Sequence, residues 1–139
     1  MQSELRNIGI EIEMSVWHRA KPIVCSFLTH TKKDPLNIKG TLYHKDASMF
    51  ELAIAPASTP VQFGELYDEA IEQAESMLPD GAYLQAIPAV SYDQDELDTD
   101  PYASELGCSP SDCVHGMAHA MPEAYPDTTR YGGTHVNIE

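Results

Sequence analysis

Basic residues are scarce in this sequence. Lysine and arginine together number 8 against 22 aspartates and glutamates, which leaves a formal net charge of −14. Proteins that bind nucleic acid gain affinity from clustered lysine and arginine side chains that neutralise phosphates. We therefore expect no nucleic-acid partner.

Long apolar runs and cysteines are also scarce. No stretch approaches the roughly 20 consecutive apolar residues of a membrane-spanning helix, and the N-terminus lacks the basic and then apolar pattern of a signal peptide. Three cysteines are an odd number in a chain that is long enough to bury a core without disulfides. These absences predict free thiols, no membrane partner and a cytoplasmic location.

The hydrophobic pattern predicts a single α+β domain over residues 1–139. With 42% hydrophobic residues the chain can bury one core, and most of its patterned segments alternate with the period of a strand. Between residues 61 and 78 the period becomes helical, with Thr59 as N-cap and Pro60 in the first turn. We expect a mainly antiparallel sheet with this helix on one face and an open acidic face on the other. The predicted strands cover residues 8–14, 22–28, 41–44, 49–54, 83–90 and 133–139, and residues 29–39 are predicted as a mobile loop.

Three predicted strands carry polar residues on the face opposite their apolar side chains. Glu11 and Glu13 share one face of the first strand, with their Cα atoms roughly 7 Å apart. Glu51 stands among small neighbours in a second strand, and His135 shares a face with Glu139 in the last. Each pattern alone is more typical of a solvated strand face or a structural histidine. Together they predict a site for a hard divalent cation such as Mg²⁺ or Mn²⁺.

Arg130 lies just before two consecutive glycines, Gly132 and Gly133. Paired glycines remove side chains where a ligand or another backbone comes close. A guanidinium binds phosphate or carboxylate with two parallel hydrogen bonds. Arg130 is therefore a candidate clamp for an anion. No glycine-rich phosphate loop of the usual spacing is present.

Four motifs, in this order along the chain, resemble the phage-encoded carboxylate-amine ligases, which are relatives of glutamate-cysteine ligase within the glutamine-synthetase fold. The motifs are Gly-Ile-Glu-Ile-Glu at 9–13, Phe-Glu-Leu-Ala at 50–53, Gly-Cys-Ser-Pro at 107–110 and Arg-Tyr-Gly-Gly-Thr-His-Val-Asn at 130–137. The resemblance implies that ATP phosphorylates a carboxylate and that an amine then displaces the phosphate to form an amide. Small-molecule or peptide carboxylates and amines would be the substrates, with ATP and Mg²⁺ or Mn²⁺ as cofactors.

The resemblance also implies roles for individual residues. Glu11, Glu13 and Glu51 would be metal ligands, and His135 would lie at the metal or phosphate site. Arg130 would hold the acyl phosphate or the substrate carboxylate. Asn137 stands where the family usually has a second histidine, and because an amide is a poorer metal ligand than an imidazole we place it in cofactor or substrate contact.

Family members continue beyond the position of Glu139, so we expect this chain to be the N-terminal part of a larger ligase domain, which would leave its active site incomplete. A sheet edge exposed by such an ending favours a homo-oligomer. The rival hypothesis is a catalytically silent domain that binds a partner through this edge or through the acidic helix. Under both hypotheses, one loop has the residue spacing of a zinc site. The same residues are also compatible with free thiols and surface histidines, so zinc binding stays open. Its residues are Cys108, Cys113, His115 and His119.

Overall fold

The computed structural model describes residues 6–104 and 128–138, which form a mostly β structure with one long helix. The strands are β1 (Ile8–His18), β2 (Lys21–Ile23), β3 (Leu36–Ile38), β4 (Thr41–Asp46), β5 (Met49–Ala57), β6 (Ala82–Gln85), β7 (Ala89–Ser91), β8 (Thr129–Tyr131) and β9 (Thr134–Ile138). The helices are α1 (Pro60–Ser76), α2 (Gln94–Leu97) and a 3₁₀ turn at Pro101–Ser104. The predicted α+β class is confirmed.

Strand β1 is the centre of a curled antiparallel sheet that contains seven of the described strands. Its first half pairs with β5 and β9, and since Glu11 lies opposite both Ala53 and His135, these strands must occupy its two edges. Its second half pairs with β2 and β6. Beyond β5 the sheet continues through β4 to β3. Strands distant in sequence therefore meet along one strand.

Helix α1 covers one face of this sheet. Thr59 Oγ1 accepts a hydrogen bond from Gln62 N at 3.1 Å, which satisfies one of the free amides at the helix start, as predicted. The helix packs on β5 through the buried Ala70 and Ala74, whose small side chains let the two backbones come close. The core between the sheet and α1 combines alternate strand residues with residues of the helix and of the segment after β2. Its buried members are Ile12, Met14, Val16, Cys25, Leu28, Tyr43, Phe50, Leu52, Ile54, Ala70 and Ala74.

The opposite face is partly covered, which corrects the expectation of an open acidic surface. A second apolar cluster forms around Met49, which lies two positions from Glu51 on the same side of β5. Its partners come from the small β7–β8 sheet and from α2. The buried members are Val24, Met49, Val90, Tyr92, Leu97 and Ala103. The polar face is therefore enclosed at the β4–β5 end.

The remaining differences from the predicted elements have local causes. The segment expected as a strand over 83–90 divides into β6 and β7, with Pro88 in the break, because proline cannot donate to a ladder. The predicted mobile loop over 29–39 contains β3 and bridges at Thr31. Strand β1 runs to His18, where Arg19 and Ala20 both take positive φ in a two-residue turn. The predicted strand over 22–28 is limited to β2.

Candidate cation site

Register brings the predicted acids of two strands together. Glu13 on β1 lies directly opposite Glu51 on β5, and Glu51 in turn lies opposite His44 on β4. In an antiparallel sheet, residues that face each other across strands point to the same side. The three side chains therefore share the polar face of the sheet.

A third carboxylate completes the cluster. Oxygen atoms of Glu13, Asp46 and Glu51 lie within 4.8 Å of one another. Around a cation with metal–oxygen distances of about 2.1 Å, neighbouring ligand oxygens are about 3 Å apart and opposite ones about 4.2 Å. The three carboxylates therefore need only small movements to contact one cation. We call Glu13, Asp46 and Glu51 the acidic cluster.

Glu51 shows the strongest sign of a missing partner. Its side chain is only 3% exposed, and its Oε2 atom has no hydrogen-bond partner among the described residues. Burial, and then repulsion from Asp46, Glu13 and Glu11, raise its pKa from 4.5 to about 7, opposed by the attraction of Lys32. A buried carboxylate without a donor is costly unless it is protonated or bound to a cation. The chemistry of this oxygen therefore fits a metal ligand.

Lys32 supplies the nearest positive charge to Glu51. Its Nζ lies 4.0 Å from Glu51 Oε2, and its side chain is 66% exposed. An exposed ammonium at this distance offsets part of the negative charge without forming a hydrogen bond.

Glu13 is held in place by the paired glycines. Gly133 N donates to Glu13 Oε2 at 2.8 Å, and the Gly133 carbonyl accepts from Glu13 N at 3.0 Å. A Cβ added at Gly132 would lie 3.2 Å from the Glu13 carbonyl oxygen, so a backbone does come close at this position, as the glycines predict.

His135 and Glu11 form a more exposed pair on the same face. His135 Nδ1 lies 3.5 Å from Glu11 Oε2, with side chains 67% and 39% exposed. Asn137 lies opposite Gly9, two positions along β9 from His135 on the same face, and is also exposed. Of the four predicted metal ligands, Glu13 and Glu51 thus join Asp46, while Glu11 and His135 pair with each other.

His44 is a buried histidine that sequence reasoning missed. Its Nδ1 lies 3.3 Å from the carbonyl oxygen of Lys45, and its Nε2 lies 3.7 Å from Glu51 Oε2. Burial lowers the pKa of the imidazole, although the bond to Lys45 acts in the opposite direction. The ring is therefore favoured in its neutral form.

Arg130 lies on β8, in the small sheet rather than the main one. It is 7% exposed, and its guanidinium donates to the carbonyl oxygens of Ala103 and Thr129. These bonds tie the 3₁₀ turn to β8. The role of Arg130 as an anion clamp stays a prediction.

Two predictions concern residues outside the described ranges, namely the zinc site and the place of Glu139 beside His135 at the cation site. The zinc hypothesis concerns Cys108, Cys113, His115 and His119. The motif at 107–110 lies there too. Both hypotheses stay predictions.

Comparisons of the chain with protein-family models, with curated proteins and with solved structures found no match. In the part of the chain that the structure describes, no helix combines the length and apolar character needed to cross a membrane. The features that bear on function are therefore the geometry of the polar face and the motifs in the sequence.

Proposed function

We propose that the protein is a carboxylate-amine ligase of the glutamine-synthetase-like type, driven by ATP and dependent on Mg²⁺ or Mn²⁺. The observation that carries the proposal is the acidic cluster, because Glu51 Oε2 is buried there without a donor among the described residues. The order of the sequence motifs supports the same reaction. We place this activity in the cytoplasm, where ATP is available.

The reaction has two steps. A carboxylate oxygen of the first substrate bonds to the γ-phosphorus of ATP while the bond from that phosphorus to the bridging oxygen breaks, releasing ADP. The amine nitrogen of the second substrate then bonds to the acyl carbon, the carbon–oxygen bond to phosphate breaks, and the amine loses one proton to solvent or a base. The products are an amide, ADP and phosphate.

The residues of the polar face would have different roles in this reaction. Glu13, Asp46 and Glu51 would hold the cation, which when bound reduces the negative charge of the nucleotide phosphates. Glu11 and His135 lie beside the cluster on β1 and β9, where His135 can donate to a phosphate or carboxylate oxygen. Asn137, exposed on the same face of β9, would contact the cofactor or substrate.

Isothermal titration of the full chain with Mn²⁺, and then with ATP in the presence of Mn²⁺, tests the binding part. We expect both to bind at millimolar concentrations or below and both to be lost in Glu51→Gln. Glu72→Gln, which neutralises an exposed acid of α1, is the matched control and should bind normally. A chain that takes up neither Mn²⁺ nor ATP contradicts the proposal.

The acyl phosphate has its own test. A mixture of amino acids labelled with ¹⁸O in their carboxyl groups should transfer one ¹⁸O atom to the phosphate that is released, because the carboxylate oxygen leaves with phosphorus. ATP hydrolysis by water instead leaves that phosphate free of the substrate label. Label-free phosphate under amide-forming conditions overturns the two-step reaction.

The second candidate function is partner binding through β9, and one observation favours it. Val136 and Ile138 are exposed on the face that carries the core elsewhere, next to the exposed Ile8 on β1. An apolar strip along an edge strand is typical of association by strand addition, with another copy of the chain or with a different protein. Sedimentation of the full chain and of Val136→Lys separates the self-association case. A monomer at all concentrations argues against it.

A further inference from the structure

We infer that His44 is a ligand of the cation bound at the acidic cluster, through its Nε2 atom, and that this nitrogen makes the site prefer Mn²⁺ to Mg²⁺. The inference rests on the proposed function, because it requires that the cluster binds a divalent cation at all.

The backbone carbonyl of Lys45 determines the tautomer of His44. The carbonyl oxygen of Lys45 can only accept a hydrogen bond, so the Nδ1 atom facing it at 3.3 Å carries the hydrogen. In the neutral ring, Nε2 then has a free lone pair. Histidines that bind metals commonly have this arrangement, with one ring nitrogen donating to a backbone carbonyl and the other facing the metal.

The Nε2 atom of His44 faces the carboxylate of Glu51. It lies 3.7 Å from Glu51 Oε2, the buried oxygen that has no hydrogen-bond partner among the described residues. Two acceptors this close in a buried position repel each other unless something positive lies between or beside them. A cation that contacts both atoms removes this conflict. Asp46, two positions from His44 on the same side of β4, brings the acidic cluster to the same place.

A nitrogen ligand affects which divalent cation the site prefers. Mg²⁺ strongly favours oxygen ligands and keeps several waters, whereas Mn²⁺ accepts imidazole more readily among carboxylates. A site of three carboxylates without nitrogen has little reason to distinguish the two ions. With His44 included, we expect Mn²⁺ to bind about tenfold or more tightly than Mg²⁺.

Electron spin-echo envelope modulation of bound Mn²⁺ tests the inference directly, because it detects a coordinated ¹⁴N nucleus. Mn²⁺ is also suitable because it binds thiolates weakly, so that the cysteines interfere little. We expect ¹⁴N modulation in the full chain, and its loss in His44→Asn. In that variant the amide can still donate to the Lys45 carbonyl while Nε2 is gone. Mn²⁺ affinity should fall about tenfold or more, with Mg²⁺ affinity changed far less.

Two further variants identify the nitrogen. His18→Asn removes the histidine at the C-terminal end of β1, beside Gly81, and should leave the modulation unchanged. His135→Asn removes the exposed histidine beside Glu11 and should leave it unchanged too. If the modulation disappears in His135→Asn and persists in His44→Asn, the inference is wrong and the ligand is His135.

The buried position of His44 could prevent His44→Asn from folding, so a complementary variant leaves it untouched. The chain has 6 histidines, and the variant keeps only His44 by changing the others to asparagine. The changed residues are His18, His30, His115, His119 and His135. Modulation that persists in this chain supports the inference, and its disappearance overturns it.

The two proposals fail in different ways. If Mn²⁺ binds and is lost in Glu51→Gln but shows no ¹⁴N coupling, the role of His44 is wrong and the cation site of the proposed ligase stands. If Mn²⁺ does not bind to the full chain, both proposals fail.

Discussion

Gly133 and Glu13, separated by 120 positions in the chain, exchange two hydrogen bonds, one to the carboxylate and one between the backbones. The amide of Gly133 occupies Glu13 Oε2, which leaves Oε1 as the freer oxygen. The carboxylate is thereby held in one orientation before any ligand arrives. Positioning of this kind reduces the entropy that binding would otherwise cost.

The paired glycines should differ in their tolerance of a side chain. At Gly132, an added Cβ would lie 3.1 Å from Met49 Sδ and 3.2 and 3.3 Å from the carbonyl oxygens of Glu13 and Ile87. Because two of these neighbours are backbone atoms, Gly132→Ala should lower the free energy of unfolding by about 1–3 kcal/mol. Chemical denaturation measures the change.

Gly133→Ala is the matched control for that substitution. Its Cβ would lie 3.7 Å from Glu13 Oε2 and from His135 Nε2, which are ordinary contacts. We expect a much smaller loss of stability than for Gly132→Ala. Equal losses in the two variants would contradict the packing described around Gly132.

Glu51→Gln should stabilise the chain at pH 8 when divalent cations are absent. The folded chain keeps the Glu51 proton up to a pKa of about 7, whereas the unfolded chain releases it near the ordinary 4.5. The unfolded state therefore binds fewer protons between these two pH values. The contribution of Glu51 to stability is complete below about pH 4.5 and is lost as the pH rises through 7. The loss is up to about 3 kcal/mol, and a neutral glutamine avoids it.

Urea unfolding at pH 4 and pH 8, with a chelator present, checks this prediction. The variant should gain stability over the unchanged chain at pH 8 and much less at pH 4. Glu72→Gln controls for the removal of one negative charge from this acidic protein. If Glu51→Gln is no more stable than the unchanged chain at pH 8, burial does not destabilise the carboxylate of Glu51.

Lys32→Met should increase the affinity for Mn²⁺ at pH 8. The Lys32 ammonium lies 4.0 Å from Glu51 Oε2 and repels an incoming cation. Two unit charges about 4 Å apart interact by about 1 kcal/mol in water, and a divalent cation beside Glu51 carries twice the charge at a somewhat greater distance from Lys32. We therefore expect the affinity to rise about fivefold or more.

The pH and the control for Lys32→Met are chosen to isolate this repulsion. Above the pKa of Glu51, competition from protons is small, so the loss of the lysine acts mainly on the cation. Lys33→Met removes the same charge from the neighbouring exposed position and should change the affinity less. Weaker Mn²⁺ binding in Lys32→Met would show that Lys32 assists the site instead of competing with its ligand.

Cys25 should not react with thiol reagents in the folded chain. It is 1% exposed, and burial raises the pKa of its thiol far above the ordinary value, so little thiolate is present to attack. In a variant with Cys108→Ser and Cys113→Ser, Ellman's reagent should detect no thiol before unfolding and one equivalent per chain afterwards. Rapid reaction before unfolding would contradict the buried position of Cys25.

The strand pattern was enough to predict which acids share a face. Alternation placed Glu11 and Glu13 on one side of β1 and Glu51 on the polar side of β5, and the structure confirms both faces. Alternation does not give the register, however, and register decides that Glu13 rather than Glu11 lies opposite Glu51. The helical period and the Thr59 cap likewise predicted α1 closely.

Asp46 and His44 were missed for two separate physical reasons. Asp46 read as part of a four-residue turn, whereas β4 extends to Asp46 and the turn holds only Ala47, at positive φ, and Ser48. His44 is only 4% exposed although it lies on the polar face, at the end of the sheet where the second apolar cluster forms. Such packing joins residues far apart in the chain, and no local pattern reveals it.

The central position of β1 has a consequence for how the protein is made. Ser15 pairs with Gln85 and Gly9 pairs with Asn137, so β1 is synthesised long before two of its partner strands. Pairings between such distant residues form slowly and leave strand edges exposed in the meantime. Glu13 gains its bonds from Gly133 only after that residue has been synthesised, so the orientation of the Glu13 carboxylate is fixed late in folding.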